Sequence, residues 1–328
     1  MRRQASSSSS SSKGPSLSVL TLTMNPSVDL STDTPKVEPV HKLRCSEGVH
    51  DAGGGGINVA RVLHRLGAPC ITLCPSGGPT GHWLETRMRE EGLVCQFVPI
   101  AGETRVSFTV HEASTGQEYR FVMPGPTLSE TEWRACVQTI EKLPAMPDII
   151  VASGSLPPGV PVDIYAHLAE LARAKGSRLV LDSSGPGLQA ALTSGGVFMV
   201  KPNLRELGDF CGRKLQTPEE GLAVAKELVA QSKAEVVALT LGEQGAYLVC
   251  HEGAWFAPPL SVPIASAVGA GDSFVAGMVW GLRSQQPIEE AFAWGVAAGS
   301  AALITTGTGL CKTDDVQRLK PAVALQSL

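Results

Sequence analysis

The sequence predicts an α/β fold: a mostly parallel central sheet with helices on both faces, plus a small antiparallel β lid. Two observations carry the core. Short apolar runs alternate with helical stretches from residue 17 onward, and each run empties into a cluster of Gly, Pro, Ser, Asn or Asp. Continuous apolar strands separated by helices belong to parallel sheets covered on both faces. A third observation predicts the lid: two segments alternate with period 2 and contain no helical face.

Taken in order, residues 1–16, MRRQASSSSSSSKGPS, hold two arginines and seven consecutive serines but no apolar stretch. They read as a disordered tail rather than a targeting segment, and 17–328 reads as one domain. The runs LSVLTLTMNPSVD, CITLCPSGG, DIIVASGSLPPG, RLVLDSSGPG, VFMVKPNL and VVALTLGEQG read as buried strands, each ending in a turn. Parallel sheets bind ligands beyond the carboxyl ends of their strands. That rule marks Asp29, Ser153, Ser155, Asp182, Asn203, Glu206 and Gly242. The lid is expected over about 34–52 and 104–123. RVSFTVHEASTGQEYRFVM sets Val106, Phe108 and Val110 against Tyr119, Phe121 and Met123 across an STG turn, a hairpin with one apolar face. KVEPVHKLRCSEGVH is a weaker version. The apolar face needs a cover, which a second subunit would supply.

Composition narrows the function. With 27 basic and 31 acidic residues the net charge is −4. That lacks the basic excess of a chain bound to nucleic acid or to an anionic membrane. No apolar run reaches the ~18 residues a membrane-spanning helix needs, so a cytoplasmic protein is expected. Eight scattered cysteines, without Cys-x-x-Cys, read as reduced and buried rather than as disulfides or a zinc site.

Two glycine clusters carry the chemistry. In VGAGDSFVAGMVWGL, Val275, Met278, Val279 and Leu282 form a helical stripe, so a helix starts near Gly271. Gly269, Ala270 and Gly271 then offer backbone amides at its positive end, where phosphate or developing negative charge is favoured. Asp272 stands in the first turn. On spacing alone it reads equally as a helix cap or as a catalytic carboxylate. In AGGGGINVARVLHRLG, Val59, Val62, Leu63 and Leu66 make a second stripe that ends at Gly67. The glycines admit a substrate close to the backbone, and Asn58 can hydrogen-bond it. Two such helix starts suggest two anionic groups brought face to face, as phosphoryl transfer requires.

P-loop, G-x-G-x-x-G, G-x-S-x-G and H-E-x-x-H motifs are absent. KPNLREL sets Asn203 and Glu206 three apart at a helix start. They are oxygen ligands suited to Mg²⁺, or equally a capping box. Lys42, Arg44 and Arg105 lie on presumed lid strands, where they could clamp a second phosphate or stand as solvated edge charges.

The ordered set NPSVD, KLRC, GGGGINVAR, RFVMPG, SGSLPPG, DSSG, KPNLREL, GEQGA and VGAGDS, from about residue 19 to 312, resembles the PfkB branch of the ribokinase-like carbohydrate kinases. The resemblance implies a ribokinase-like fold and ATP-dependent phosphorylation of fructose 6-phosphate at its C1 hydroxyl. Tagatose 6-phosphate and fructose 1-phosphate are the neighbouring acceptors. A catalytically silent sugar-phosphate sensor is the alternative of another class, against which the retained Asp272 counts.

By the same resemblance Asp272 is the base, with Gly269, Ala270 and Gly271 as the anion hole. Asp29, Gly54, Gly55, Asn58, Arg105 and Ser155 contact the sugar phosphate, and Lys42 and Arg44 clamp it. Asn203 and Glu206 organise Mg·ATP, and Lys201, Thr240, Gly242 and Gly245 lie on the nucleotide side. Ser266, Val268, Ala302, Thr305 and Gly307 match a stretch that holds K⁺. Gly55 stands where the tagatose-6-phosphate and 1-phosphofructokinase branches carry lysine, which favours fructose 6-phosphate. A homodimer paired through the lid is implied as well.

Overall fold

The computed structural model describes residues 18–307 and 309–328. The serine-rich tail lies outside the described residues. The chain opens with β1 (Val19–Leu22), then β2 (Ser27–Thr34), β3 (Val49–Gly53), α1 (Gly55–Arg65), β4 (Ile71–Ser76), α2 (Gly78–Glu90) and β5 (Val94–Pro99). A hairpin follows, β6 (Arg105–Glu112) and β7 (Glu118–Val122), then α3 (Glu130–Glu141), β8 (Ile149–Ser153), α4 (Ile164–Ala174), β9 (Arg178–Asp182), α5 (Gly185–Ser194) and β10 (Val197–Val200). The rest comprises α6 (Leu204–Phe210), α7 (Pro218–Ala230), β11 (Ala234–Thr240), β12 (Ala246–Cys250), β13 (Gly253–Ala257), α8 (Ala270–Arg283), α9 (Ile288–Leu303), α10 (Thr313–Leu319) and β14 (Gln326–Ser327).

The core sheet has the order β14-β13-β12-β11-β10-β9-β8-β1-β4-β5. It is parallel from β5 to β11 and antiparallel beyond. The expected apolar runs became its strands, buried because both faces are covered. On one face Leu20, Leu22 and Ile150 pack with Ile140, Tyr165, Leu168 and Leu188. On the other, Val19, Ile149 and Val151 pack with Val59, Leu63, Met278 and Phe292. Later strands add to one side of β1 as β4 and β5, and to the other as β8 through β11. The β1/β8 boundary is therefore the switch point at which such sheets open a crevice. Helices α8 and α9 cross at glycine: a Cβ on Gly277 would stand 2.4 Å from the Trp294 carbonyl. That close crossing fixes where α8 begins.

The lid is a separate four-stranded sheet, β3-β2-β6-β7. Its outer pairs are antiparallel as expected, but the central pair β2·β6 is parallel over Ser27↔Arg105 to Thr34↔Glu112. Both strands rise from the same edge of the core, one after β1 and one after β5, so they enter the lid in the same sense. Two further expectations are corrected. LSVLTLTMNPSVD is not one strand: β1 ends at Leu22, the chain bends at Met24 and Asn25, Pro26 has no N–H to donate, and Asp29 lies on the lid strand β2. In the first lid segment the second strand is confined to Val49–Gly53. Residues 35–48, with Pro35, Pro39 and a positive φ of 71° at Val40, form no strand, so Lys42 and Arg44 are exposed on irregular chain.

Candidate active site

A cavity of about 270 Å³ opens between the lid and the carboxyl ends of the core strands. The lid contributes Asp29, Arg105, Ser107 and Arg120. The core contributes Gly54, Gly55, Asn58, Ser153, Ser155, Asp182, Glu206, Gly269 and Asp272. Period-2 alternation explains the lid's division of labour. Arg105, Ser107 and Arg120 face the cavity, while Phe108 and Phe121 stack on the opposite face at 4.7 Å between ring centroids.

The glycine run 53–56 makes room. A Cβ on Gly53 would collide with the Asp29 carboxylate at 2.3 Å, and one on Gly55 would lie 2.2 Å from Ser153 Oγ. Gly54 adopts φ 113°, a conformation that strains other residues. From there α1 carries Asn58 inward, its Nδ2 donating to Asp272 Oδ2 at 2.9 Å. Asn58 Oδ1 is buried and takes no hydrogen bond among the described residues, an acceptor free for a ligand hydroxyl. Val59, Val62 and Leu63 of the α1 stripe are buried as expected, Leu66 is half-buried at the C-cap, and Gly67 follows at φ 73°.

Gly269 is the N-cap of α8, in the left-handed region at φ 73° and without a side-chain cap. α8 has no side-chain cap, and Asp272 Oδ2 instead accepts from Asn58 Nδ2, so the capping role its spacing allowed is not the one seen. Burial lifts its carboxyl from the ordinary 3.8 to about 6, with the Asp182 charge adding and Asn58 and Lys201 opposing. Lys201, buried at the end of β10, pairs with Asp182 at 3.1 Å. A Cβ on Gly271 would stand 3.3 Å from its Nζ, so the cation lies beside the α8 amides. Burial opposes the Lys201 charge, yet the carboxylates of Asp182, Glu206 and Asp272 hold its pKa above the ordinary value.

On the lid, Ser27 Oγ donates to Asp29 Oδ1 at 2.6 Å, while burial raises the Asp29 pKa. Arg105 donates to the carbonyls of Met123 (2.9 Å) and Asn25 (3.0 Å). Its Nε is buried without a partner among the described residues. Ser155 Oγ accepts from Asn25 Nδ2 at 3.2 Å.

Asn203 and Glu206 form the capping box at the start of α6. Glu206 N–H donates to Asn203 Oδ1, and Asn203 N–H to Glu206 Oε2, both at 2.9 Å. Glu206 nonetheless faces the cavity, and burial raises its pKa. Thr240 bridges to Asn203, so Thr240, Gly242 and Gly245 lie at the end of β11, next to the cavity wall rather than in it.

Lys42 and Arg44 do not line their own chain's cavity. In the stretch matched to a cation site, the carbonyls of Ser266, Val268 and Thr305 accept no backbone hydrogen bond among the described residues, whereas that of Ala302 accepts from the Thr305 N–H at 3.1 Å. Several cavity residues carry no role in the sequence reading, among them Ser27, Ser107 and Ser153, and two of them are charged, Asp182 and Arg120. Asp182 is marked there only by its strand-end position, and the hairpin alternation sets Arg120 opposite the apolar face.

A family model for the pfkB family carbohydrate kinases matches residues 16–315. The ATP-dependent 6-phosphofructokinase isozyme 2 of Mycobacterium tuberculosis is 43% identical over 300 residues, covering 92% of this chain and 88% of the relative. Phosphofructokinase-2 from Escherichia coli, solved in complex with fructose-6-phosphate, matches with a TM-score of 0.88 at 39% identity, over 94% of this chain and 99% of that one. Its complex with potassium gives 0.89 at 40%, over 93% and 99%. This chain belongs to the pfkB family of carbohydrate kinases.

Proposed function

We propose that the chain transfers the γ-phosphoryl group of ATP to the C1 hydroxyl of fructose 6-phosphate. One observation carries the reading: Asp272, freed from capping, stands in the cavity beside the uncapped amides of α8 and is aimed by Asn58. Its carboxylate takes the C1 hydroxyl proton as the C1 oxygen bonds to the γ-phosphorus. The bond from that phosphorus to the bridging oxygen breaks, and ADP leaves with the electron pair. The amides at Gly269, Ala270 and Gly271 meet the charge on the moving group, with Lys201 alongside.

Arg105 and Arg120 hold the sugar's existing phosphate, and Asp29, Asn58 and Ser155 hold its hydroxyls. Gly55 supports fructose 6-phosphate as acceptor, because the lysine of the neighbouring branches would press on the 153–155 turn. Thr240, Gly242 and Gly245 border the nucleotide. Glu206 and Asp182, the carboxylates lining the cavity, with Asn203 holding Glu206, would hold a Mg²⁺ carried in with ATP, which would offset phosphate charge. K⁺ among the oxygens of Ser266, Val268, Ala302, Thr305 and Gly307 would add positive charge behind the anion hole.

A second copy covers the apolar lid face, where Val106, Phe121 and Met123 are 38%, 47% and 45% exposed. Lys42 and Arg44 then serve a phosphate held by that copy. Cys70, Cys74, Cys136, Cys250 and Cys311 are buried as expected, whereas Cys45 is exposed on the irregular segment 35–48. No helix among the described residues is long and apolar enough to cross a membrane. The test is ADP release with fructose 6-phosphate, tagatose 6-phosphate and fructose 1-phosphate, with Mg²⁺ and with or without K⁺. The highest kcat/KM is expected for fructose 6-phosphate; ADP release with none of the three would overturn the reading.

A further inference from the structure

One contact ties the lid to the segment that builds the anion hole. Ser266 Oγ, buried at 4% exposure, donates to Glu118 Oε2 on β7 at 3.3 Å and accepts from the Val268 N–H at 3.2 Å. Val268 precedes Gly269, the left-handed N-cap of α8, so the Ser266 hydroxyl sits in the turn that orients the α8 amides. Its single proton is committed to Glu118. Two residues along the same strand, and so on the same face, Arg120 enters the substrate cavity. Strand β7 therefore touches the acceptor's cavity with Arg120 and Val122 and the anion-hole turn with Glu118. A shift of the lid moves both.

We infer that Glu118 is a positioning residue: it latches the closed lid to the Ser266–Val268 turn, so that sugar-phosphate binding at Arg120 and alignment of the α8 amides occur together. The inference rests on reading the cavity as a phosphoryl-transfer site. The carboxylate's role is as an acceptor, so an amide oxygen at the same place suffices.

The test compares E118A, E118Q, S266A and the E118A/S266A double variant, using whichever hexose phosphate the unmodified enzyme turns over. E118A is expected to lower kcat and raise the sugar-phosphate KM by about 3–10-fold each, leaving the ATP KM within about 2-fold. E118Q restores both, and the double variant is no worse than the poorer single one. Hydrogen exchange over 105–122 without ligand should be faster in E118A than in the unmodified chain. Unchanged constants in E118A, an additive double variant, an E118Q as poor as E118A, or unchanged exchange each overturn the latch. The exchange measurement needs no turnover, so it judges the latch even if ADP release fails with every hexose phosphate.

Discussion

Helices α6 and α8 open onto the same cavity, each with a carboxylate at the third residue after its N-cap, and they use it in opposite ways. In α6 the N-cap Asn203 and the carboxylate of Glu206 satisfy each other's backbone amides. In α8 the N-cap is Gly269, with no side chain to offer, and Asp272 turns away to Asn58 on α1. A capping box devotes amides to stability. A glycine cap leaves the amides and the carboxylate uncommitted to each other, which the proposed function assigns to a ligand and to proton transfer. On that reading the residue at the cap decides whether a helix start serves the fold or the reaction.

The largest test of that contrast is Asp272→Asn, which keeps size and polarity and removes the base. We expect kcat to fall by about 10²–10⁴-fold. Calorimetry should find Mg·ATP affinity within about 2-fold of the unmodified chain. Unchanged turnover would refute the assignment. The same variant should report on stability with a defined sign. A carboxyl raised from 3.8 to about 6 in the folded chain is held less favourably once ionised. Stability is therefore present below about pH 4 and lost as pH rises through about 6. The full shift corresponds to at most about 3 kcal/mol. Asp272→Asn should melt above the unmodified chain at pH 8, with the gap closing by pH 4.

Asn58→Ala should come next. It removes the group that aims Asp272 and that lowers its pKa, so kcat should drop by about 10–100-fold. The acid limb of kcat/KM, expected near pH 6 in the unmodified enzyme, should move upward. A pH–rate profile checks it. An acid limb that stays in place would mean the Asn58–Asp272 contact does not exist in solution.

Much of this arrangement was legible in the sequence, for identifiable reasons. The strands of the parallel core announced themselves because burial on both faces demands unbroken apolar runs. The 53–56 and 269–271 clusters were legible because close approach and a left-handed N-cap admit only glycine at low cost. What stayed hidden was pairing between distant segments. Alternation in 105–112 shows that one face is apolar, but not that its partner is β2, some eighty residues earlier and parallel to it. The hairpin alternation sets Arg120 opposite the apolar face, but that it meets a cavity is seen only once the lid is folded over the core. Lys42 and Arg44 read as strand residues because an alternating pattern says nothing of the prolines' effect on the ladder around them. Whether Asp272 capped its helix was undecidable without Asn58, which lies 214 residues away in sequence.

The smallest expected effects come from α6, where fold and ligand compete for the same side chains. Asn203→Ala removes the side-chain acceptor from the Glu206 amide and should cost about 1 kcal/mol, read as a lower denaturant midpoint at unchanged slope. Glu206→Gln differs in kind. Its side-chain oxygen still accepts from the Asn203 N–H, so the backward half of the box survives. It also removes a charge that burial disfavours, as the raised Glu206 pKa indicates. Stability should therefore stay within about 0.5 kcal/mol. What glutamine cannot do is offer an anionic oxygen toward magnesium, so the KM for Mg·ATP should rise while the KM for the sugar phosphate holds. If Glu206→Gln instead lost as much stability as Asn203→Ala and left the nucleotide KM untouched, the carboxylate would belong to the fold alone. The contrast between α6 and α8 would then be absolute, one helix start wholly structural and the other wholly open to ligand.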